Sequence, residues 1–317
     1  MRVCKPRFFD DFRCTAGACA DNCCIGWEID VDPASRRRYA QVPGPLGERL
    51  RRGLVADADG AHFALDGRGR CALLDEDNLC AVQRALGPEA LCEICREHPR
   101  FTEWFGAWRE TGVGLCCEEA CRLLSQDPAP LTFLVSEDDA PAEEPPCEEA
   151  LLSRLVSARR SLCAVLQDRA LPLDARLRRV LAAARALQDE LDGFAPADCP
   201  PEAERLPGEA ELLPLLASLA PIDADWTRRL AARGDAVPCP DWVLEHAAVY
   251  LLFRWFLKCA YDGDALGKAR LLVLFVCAAR ALLARGAFQS PQEALRLLSK
   301  EIEYAQENVD RLADFPL

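Results

Sequence analysis

Twelve of the eighteen cysteines in this 317-residue chain fall within its first 121 residues, at positions 4, 14, 19, 23, 24, 71, 80, 92, 95, 116, 117 and 121. Thiols at this density form disulfides, bind soft metals or carry out redox chemistry, and the compartment decides among these. The opening residues, Met1-Arg-Val-Cys-Lys-Pro-Arg-Phe-Phe-Asp-Asp11, contain no apolar export core, so a reducing, cytoplasmic setting is expected, where disulfides do not persist. With 3 histidines in the whole chain, the natural coordination is all thiolate, as structural zinc or an iron–sulfur cluster. The same stretch is broken by glycine and proline, and only 33–40, 47–54, 78–86 and 88–97 look helical. A segment of this kind draws its stability from bound metal, whose binding free energy becomes folding free energy.

The fall in cysteine density marks a domain boundary. Ser136-Glu-Asp-Asp-Ala-Pro-Ala-Glu-Glu-Pro-Pro-Cys-Glu-Glu149 combines acid and proline with almost nothing apolar and reads as a solvated linker. Beyond it, Leu151, Leu152, Leu155 and Val156 open a series of helix-period runs, continued at 174–192, 209–219, 223–233, 241–260, 264–285 and 291–313. Breakers at Gly193, Pro196, Pro200, Gly234, Gly263 and Gly286 separate them, and Ser290-Pro291-Gln-Glu293 has the cap, proline and acid of a helix start. The expected class is therefore mainly α: an irregular cysteine-rich metal-binding domain at 1–125, an acidic linker at 126–149, and an all-helical domain at 150–317.

The formal net charge of −13 repels phosphate backbones and disfavours nucleic acid or an anionic membrane as partner, while favouring a cationic one. The longest apolar run near the C-terminus, residues 271–279, is stopped by Arg280 and is too short to cross a bilayer. A soluble protein is expected.

The thiols are spaced Cys14-x4-Cys19-x3-Cys23-Cys24, then Cys71-x8-Cys80-x11-Cys92-x2-Cys95, then Cys116-Cys117 and Cys121. Cys92-x2-Cys95 lets two thiolates from one turn grip a single metal. The Cys-x3-Cys-x2-Cys of a radical enzyme that cleaves S-adenosylmethionine is absent, since Gly26 stands where its third cysteine belongs. A ferredoxin-type run is missing too, and Gly67 and Gly69 mark a turn rather than a dinucleotide-binding loop.

Phe8-Phe9, Phe12-x-Cys14, Cys19-Ala-Asp21-Asn-Cys23-Cys24-Ile-Gly26-Trp27, Cys71-Ala-Leu-Leu74 to Leu79-Cys80, Leu91-Cys92-Glu-Ile-Cys95-Arg96-Glu-His-Pro99-Arg100 and Leu115-Cys-Cys117-Glu-Glu119 together resemble the flagellin lysine-N-methylase family, FliB. Fainter likeness follows at Leu244-Glu245-His246 and Ser299-Lys300-Glu301-Ile302-Glu303. The resemblance implies methyl transfer from S-adenosylmethionine to lysine side chains of flagellin, the filament protein of the bacterial flagellum, by a protein holding a [4Fe–4S] cluster, with zinc as the alternative metal. Its recurrent cysteines fall on Cys14, Cys19, Cys23, Cys24, Cys71, Cys80, Cys92, Cys95 and Cys117, more than the four that one cubane cluster needs. His98 and Glu118 depart from the family pattern without removing a recurrent thiol.

Cys163, Cys199, Cys239, Cys259 and Cys277 sit in or between apolar helical segments and read as packing residues. Trp27, Trp104 and Trp108 read as packing around the cysteine core. No catalytic residue and no cofactor pocket stand out. Glu245, Tyr250, Arg254, Glu301, Glu303 and Tyr304 could grip or deprotonate a lysine, against the simpler reading of a solvated charged face. Two other functions fit the same cysteines: a non-enzymatic zinc or iron chelator, and an adaptor whose metal domain is purely structural.

Overall fold

The computed structural model describes residues 1–19, 22–57, 60–195 and 204–317; Asp21, Pro196, Cys199 and Pro200 lie outside the described residues. The chain divides into two compact units, Arg13–Phe101 and a larger one joining Met1–Phe12 to Thr102–Leu317.

The smaller unit is built from short pieces. Strands β2 (Ile29–Asp30), β3 (Leu54–Ala56) and β4 (Ala61–Phe63) form an antiparallel sheet in the order β2-β4-β3. Around it stand helices α1 (Pro33–Ala40), α2 (Gly44–Gly53), α3 (Ala81–Leu86) and α4 (Glu93–Glu97). Helix α1 starts where Asp32 Oδ1 accepts the Ser35 N–H at 2.8 Å and Pro33 occupies the first turn. Ile29, Val31, Tyr39, Leu50, Phe63, Leu73 and Val82 form the apolar centre, and Cys71 and Cys92 are buried within it.

The larger unit contains the four-stranded sheet β5-β6-β1-β7, made of β1 (Arg2–Pro6), β5 (Arg100–Phe105), β6 (Trp108–Val113) and β7 (Phe133–Glu137). Strand β1 runs parallel to β6 and antiparallel to β7. The described helices of this unit are α5 (Glu118–Leu124), α6 (Glu149–Leu166), α7 (Leu173–Leu191), α8 (Glu209–Ala217), α9 (Trp226–Ala231), α10 (Asp241–Trp255), α11 (Cys259–Asp262), α12 (Ala265–Ala284), α13 (Pro291–Glu303) and α14 (Gln306–Ala313). Helices α10 and α12 are apolar on nearly every side and are accordingly enclosed, α12 by α7, α8, α10, α13 and α14. Ser290 caps α13 as expected, its Oγ accepting the Glu293 N–H at 3.1 Å. Gly286, with φ +69°, closes the turn after α12; a Cβ there would stand 2.5 Å from the Gly234 carbonyl carbon, so no other residue fits. No helix among the described residues is long and apolar enough to cross a membrane.

The mainly α class holds, with the two sheets as additions. The 126–149 stretch expected as an acidic linker contains β7 at its start, overlapping the Ser136–Glu149 run at two residues, because β7 pairs along one edge with β1 and Phe133 stacks on Phe253 at 4.6 Å between ring centres. Residues 291–313 form two helices rather than one, α13 ending at Glu303 and α14 starting at Gln306.

The sheet is tied to the helices by buried polar contacts. Arg159 of α6 clasps the Glu110 carboxylate of β6 with both terminal nitrogens, the Nη1 bond at 2.6 Å, and Trp108 Nε1 donates to the same carboxylate at 2.7 Å. Tyr250 of α10 accepts the Val113 N–H and donates to the Val113 carbonyl, both at 2.7 Å. Removing one side of a buried pair strands the other charge in a low dielectric, at about 3–5 kcal/mol. Glu110→Ala should therefore lower the urea unfolding free energy by about that amount, whereas a loss under 1 kcal/mol would show that Arg159 finds water in the variant.

Candidate functional site

Two backbone crossings and one side-chain bridge assemble the cysteines of the smaller unit. The Cys71 N–H donates to the Cys24 carbonyl at 2.9 Å, and the Gly26 N–H to the Gly69 carbonyl at 2.9 Å. Asn22 links the same loop to the next, its Oδ1 accepting the Cys24 N–H at 2.9 Å and its Nδ2 donating to the Asn78 carbonyl at 2.8 Å. Arg49 of α2 then fixes residues 72–75 by donating to the carbonyls of Ala72 at 2.9 Å and Leu74 at 3.0 Å and to the Asp75 carboxylate.

The result is that Cys24, Cys71, Cys80, Cys92 and Cys95 pack on one apolar core. Their charges feel one another: Cys71 and Cys80 each raise the Cys24 thiol, and Cys24 and Cys80 raise that of Cys95. Two thiol pairs form within hydrogen-bond reach. Cys95 shares its proton with Cys92, which holds Cys92 below the ordinary thiol value and Cys95 far above it. Cys24 is held up first by its bond to Cys23 and then by burial. Burial, aided by the neighbouring thiols, pushes Cys71 up to about 11 and raises Cys80.

Helix α4 is anchored beside this cluster by Asp32, whose Oδ2 accepts the Glu93 N–H at 3.0 Å. That bond, with the one from Ser35, holds the Asp32 carboxyl at about 2. Trp27 donates from Nε1 to the Cys23 carbonyl at 2.7 Å, and its ring lies 5.4 Å from that of His98, so both side chains act as packing at the edge of the cluster.

The remaining family cysteines stand differently. Cys14 is exposed, its sulfur 3.4 Å from the Ala16 amide, and Cys19 is partly buried. Cys117 belongs to the larger unit, where it opens α5 and is flanked by Cys116 and the fully buried Cys121. Among the described residues no three His, Cys, Asp or Glu side chains surround one point as a metal ion requires. The chemistry of the donor set nonetheless fits a soft metal: five thiols pack on one apolar core, and thiolate sulfur is the ligand that iron and zinc prefer there.

The acids singled out on the helices do not form a solvated face. Glu245 is fully buried and bound by Arg169 through both nitrogens at 2.8 Å and by Arg176 at 2.7 Å. Glu301 accepts the amides of Ile222 and Asp223, and Glu303 accepts Trp255 Nε1 at 2.8 Å, Ser299 Oγ at 2.6 Å and Arg254 Nε at 2.7 Å. Apart from Ser299, one turn before Glu303 on the same helix, each partner lies on a segment distant in sequence, a pairing that no local pattern reveals. Tyr304 and Arg254 crowd Gly114, where a Cβ would come within 2.1 Å of the Tyr304 hydroxyl. Beside Glu245 opens a cleft of about 450 Å³ lined by Arg169, Leu171, Arg176, Asp241 and Trp242.

Comparison with known proteins leads to the same relatives as the cysteine motifs. Over 134 residues, 40% of this chain, it is 29% identical to the flagellar biosynthetic protein FliU of Salmonella muenchen, covering 79% of that protein. The lysine-N-methylases of Salmonella choleraesuis (strain SC-B67) and Salmonella typhimurium (strain LT2) match at 29% identity over 134 residues, and the match spans 33% of each. No family model matches the chain. No solved structure matches it either.

The Asp32 carboxyl, lowered on folding, stabilises the native unit above the unfolded carboxyl value near 4, and the contribution disappears as pH falls toward 2. Asp32→Ala should cost about 1 kcal/mol of stability in the cysteine-rich unit at pH 7. The difference from wild type should vanish below about pH 2, as measured by urea unfolding across pH; a cost that is independent of pH would show that the charge is irrelevant to the cap.

Proposed function

We propose that the chain serves S-adenosylmethionine-dependent N-methylation of lysine side chains on flagellin, with a thiolate-bound metal centre in the cysteine-rich unit. The observation that carries the reading is the likeness to two proteins named lysine-N-methylase, found both in the cysteine motifs and in the 134 matched residues. The acidic balance suits a lysine-bearing protein, and the work is placed in the cytoplasm, where flagellin subunits are made.

Methylation requires the lysine amine to be neutral, because only then is a nitrogen lone pair available to attack the sulfonium methyl group. The nitrogen–carbon bond forms as the carbon–sulfur bond breaks, S-adenosylhomocysteine leaves, and the proton lost by the amine passes to an acceptor. Burial of the amine in a water-poor pocket supplies the first requirement.

The groups suited to hold the metal are Cys24, Cys71, Cys80, Cys92 and Cys95, with Cys23 beside them and Cys14, Cys19 and Cys117 as the remaining family positions. A [4Fe–4S] cluster is the proposed occupant and zinc the alternative. When bound, it would cross-link the loops around residues 24, 71, 80 and 92. This chain's own residues prepare that role: Asn22 and Arg49 fix the loops, Asp32 sets α4, and the bond from Cys95 lowers the Cys92 thiol.

A second reading, a metal-binding adaptor without catalysis, is favoured by the coverage. The match takes in most of the flagellar biosynthetic protein but only a third of each methylase. Anaerobically purified protein should contain iron and labile sulfide and should transfer methyl groups from S-adenosylmethionine to flagellin lysines. Cys71→Ser, Cys80→Ser, Cys92→Ser and Cys95→Ser should each lose most of the metal and the transfer, because serine keeps the size but lacks the soft thiolate. Cys277→Ser should keep both. Zinc without iron and no transfer would favour the adaptor; equal metal loss from Cys277→Ser and Cys92→Ser would place the metal elsewhere.

A further inference from the structure

The four-stranded sheet has two edges, and they are treated differently. At the β5 edge the Tyr261 hydroxyl donates to the Trp104 carbonyl at 2.6 Å, and Lys258 pairs with Glu103 at 2.5 Å, so helical residues cover that side. At the other edge stands β7, with Leu134 40% and Val135 56% exposed.

The register shows which backbone groups β7 leaves open. Arg7 stands opposite Thr132 in the same ladder and donates to its carbonyl at 2.9 Å, so the hydrogen-bonded pairs are Arg7 with Thr132, Lys5 with Leu134 and Val3 with Ser136. The alternate residues, Phe133, Val135 and Glu137, direct their N–H and C=O groups away from β1. Among the described residues no hydrogen bond closes these outward groups. Proteins commonly blunt such an edge with lysine, proline or a bulge, and Phe133-Leu-Val-Ser-Glu137 has none of these.

The charge beside the edge is mainly acidic. Asp138 is engaged by Arg109 and the chain's amino group, but among the described residues Glu137, Asp139, Glu143 and Glu144 have no ion-pair partner. An extended segment carrying lysines would find backbone partners along β7 and carboxylates just beyond it.

We propose that the outer edge of β7 receives an extended, lysine-bearing segment of a partner protein as an added strand. This docking deepens the lysine-methylation reading and rests on it for the identity of the partner, since the segment offered would be the substrate's own. Main-chain pairing would give affinity and the acidic residues would give preference for basic sequences.

The register also supplies the test. Proline at Val135 removes an outward N–H and spares the ladder to β1, and proline is tolerated on edge strands. The wild-type chain should bind a short fluorescein-labelled peptide of alternating lysine and threonine, measured by anisotropy, and weaken as salt rises. Val135→Pro should bind it about tenfold less tightly or worse, with unchanged circular dichroism and urea midpoint. The double variant Glu137→Lys with Asp139→Lys, which leaves the backbone untouched, should weaken it as well and covers the case in which Val135→Pro fails to fold. Peptide binding that is absent in wild type, or equal in both variants, overturns the proposal. So does a wild-type dimer that Val135→Pro dissociates and the peptide does not, because the edge would then serve a second copy of the chain. Methyl transfer to an acetylated lysine amide, too small to use a strand edge, is measured in parallel. Its absence counts against the methylation reading while the peptide result stands; its presence with unaltered peptide binding in the variants removes the docking alone.

Discussion

The hydrogen bond from the Cys71 amide to the Cys24 carbonyl closes a long loop in a unit that has no long element to lean on. Loop closure costs entropy that grows only slowly with length, so one crossing reinforced by its neighbours can hold it. The Gly26 to Gly69 bond and the Asn22 bridge to Asn78 are those neighbours, and each brings one cysteine-bearing turn against another. Further along, Leu74 and Cys80 form an isolated bridge, and the Ala81 amide donates to the Leu73 carbonyl, which starts α3. The thiols therefore gather because the turns that carry them are bonded through their backbones.

The larger unit solves a different problem, that of keeping charge inside a helical core. Glu245 on α10 would be costly to bury alone, and Arg169 and Arg176 offset that cost with three donated hydrogen bonds. Glu303 serves as a shared acceptor for Trp255, Ser299 and Arg254. Asn308 does the same with backbone: its side chain exchanges hydrogen bonds with Ala220 and donates to the Glu301 carbonyl at 2.7 Å, joining α14 to α13 across the break at residue 304. Such bonds fix which helix face meets which, a choice that the apolar surfaces of α10 and α12 leave open.

These two kinds of order differ in how much of them can be read from the chain. The longer helices α6, α7, α10, α12 and α13 are legible because their runs are periodic and bounded by glycine and proline, as at Gly263 and Gly286, whereas the run read as 241–260 divides into α10 and the four-residue α11. The break within 291–313 is not, since Tyr304 and Ala305 carry no breaker signal and the interruption comes from Asn308 binding back to Glu301. Strands β2, β3 and β4 are too short to show a period of two, and β1 ends in a proline that argues against a strand. Strand β7 has strand-like composition, but its acidic, proline-rich surroundings conceal it. Of the nine cysteines that the family likeness selects, the shared core of Cys24, Cys71, Cys80, Cys92 and Cys95 depends on loop crossings that spacing does not encode. Cys117 shows the same limit from the other direction, because its proximity in sequence to Cys92 and Cys95 says nothing of the compact unit to which its backbone belongs.

Three of the family cysteines occupy positions where another residue would serve local stability better. Cys80, Cys92 and Cys117 are the N-cap residues of α3, α4 and α5, and none makes a side-chain cap hydrogen bond. Serine, threonine, aspartate or asparagine at an N-cap stabilises a helix by about 1 kcal/mol relative to a residue that cannot cap, and the chain uses such residues elsewhere, at Asp32, Asp264 and Ser290. A cysteine kept at three helix starts therefore needs a reason beyond helix formation. At α4 the sulfur has a partner of its own, since Cys95 bonds it and holds the Cys92 thiol below its ordinary value, whereas burial raises Cys80 at the start of α3. For α4 the two requirements are visibly separated: Asp32 reaches from α1 to bind the Glu93 amide, supplying the capping that Cys92 does not, and leaves the Cys92 sulfur to its bond with Cys95. At this helix start the carboxylate of Asp32 serves the backbone while the Cys92 thiol pairs with Cys95, so the two side chains divide roles that a single serine or aspartate at the N-cap would combine.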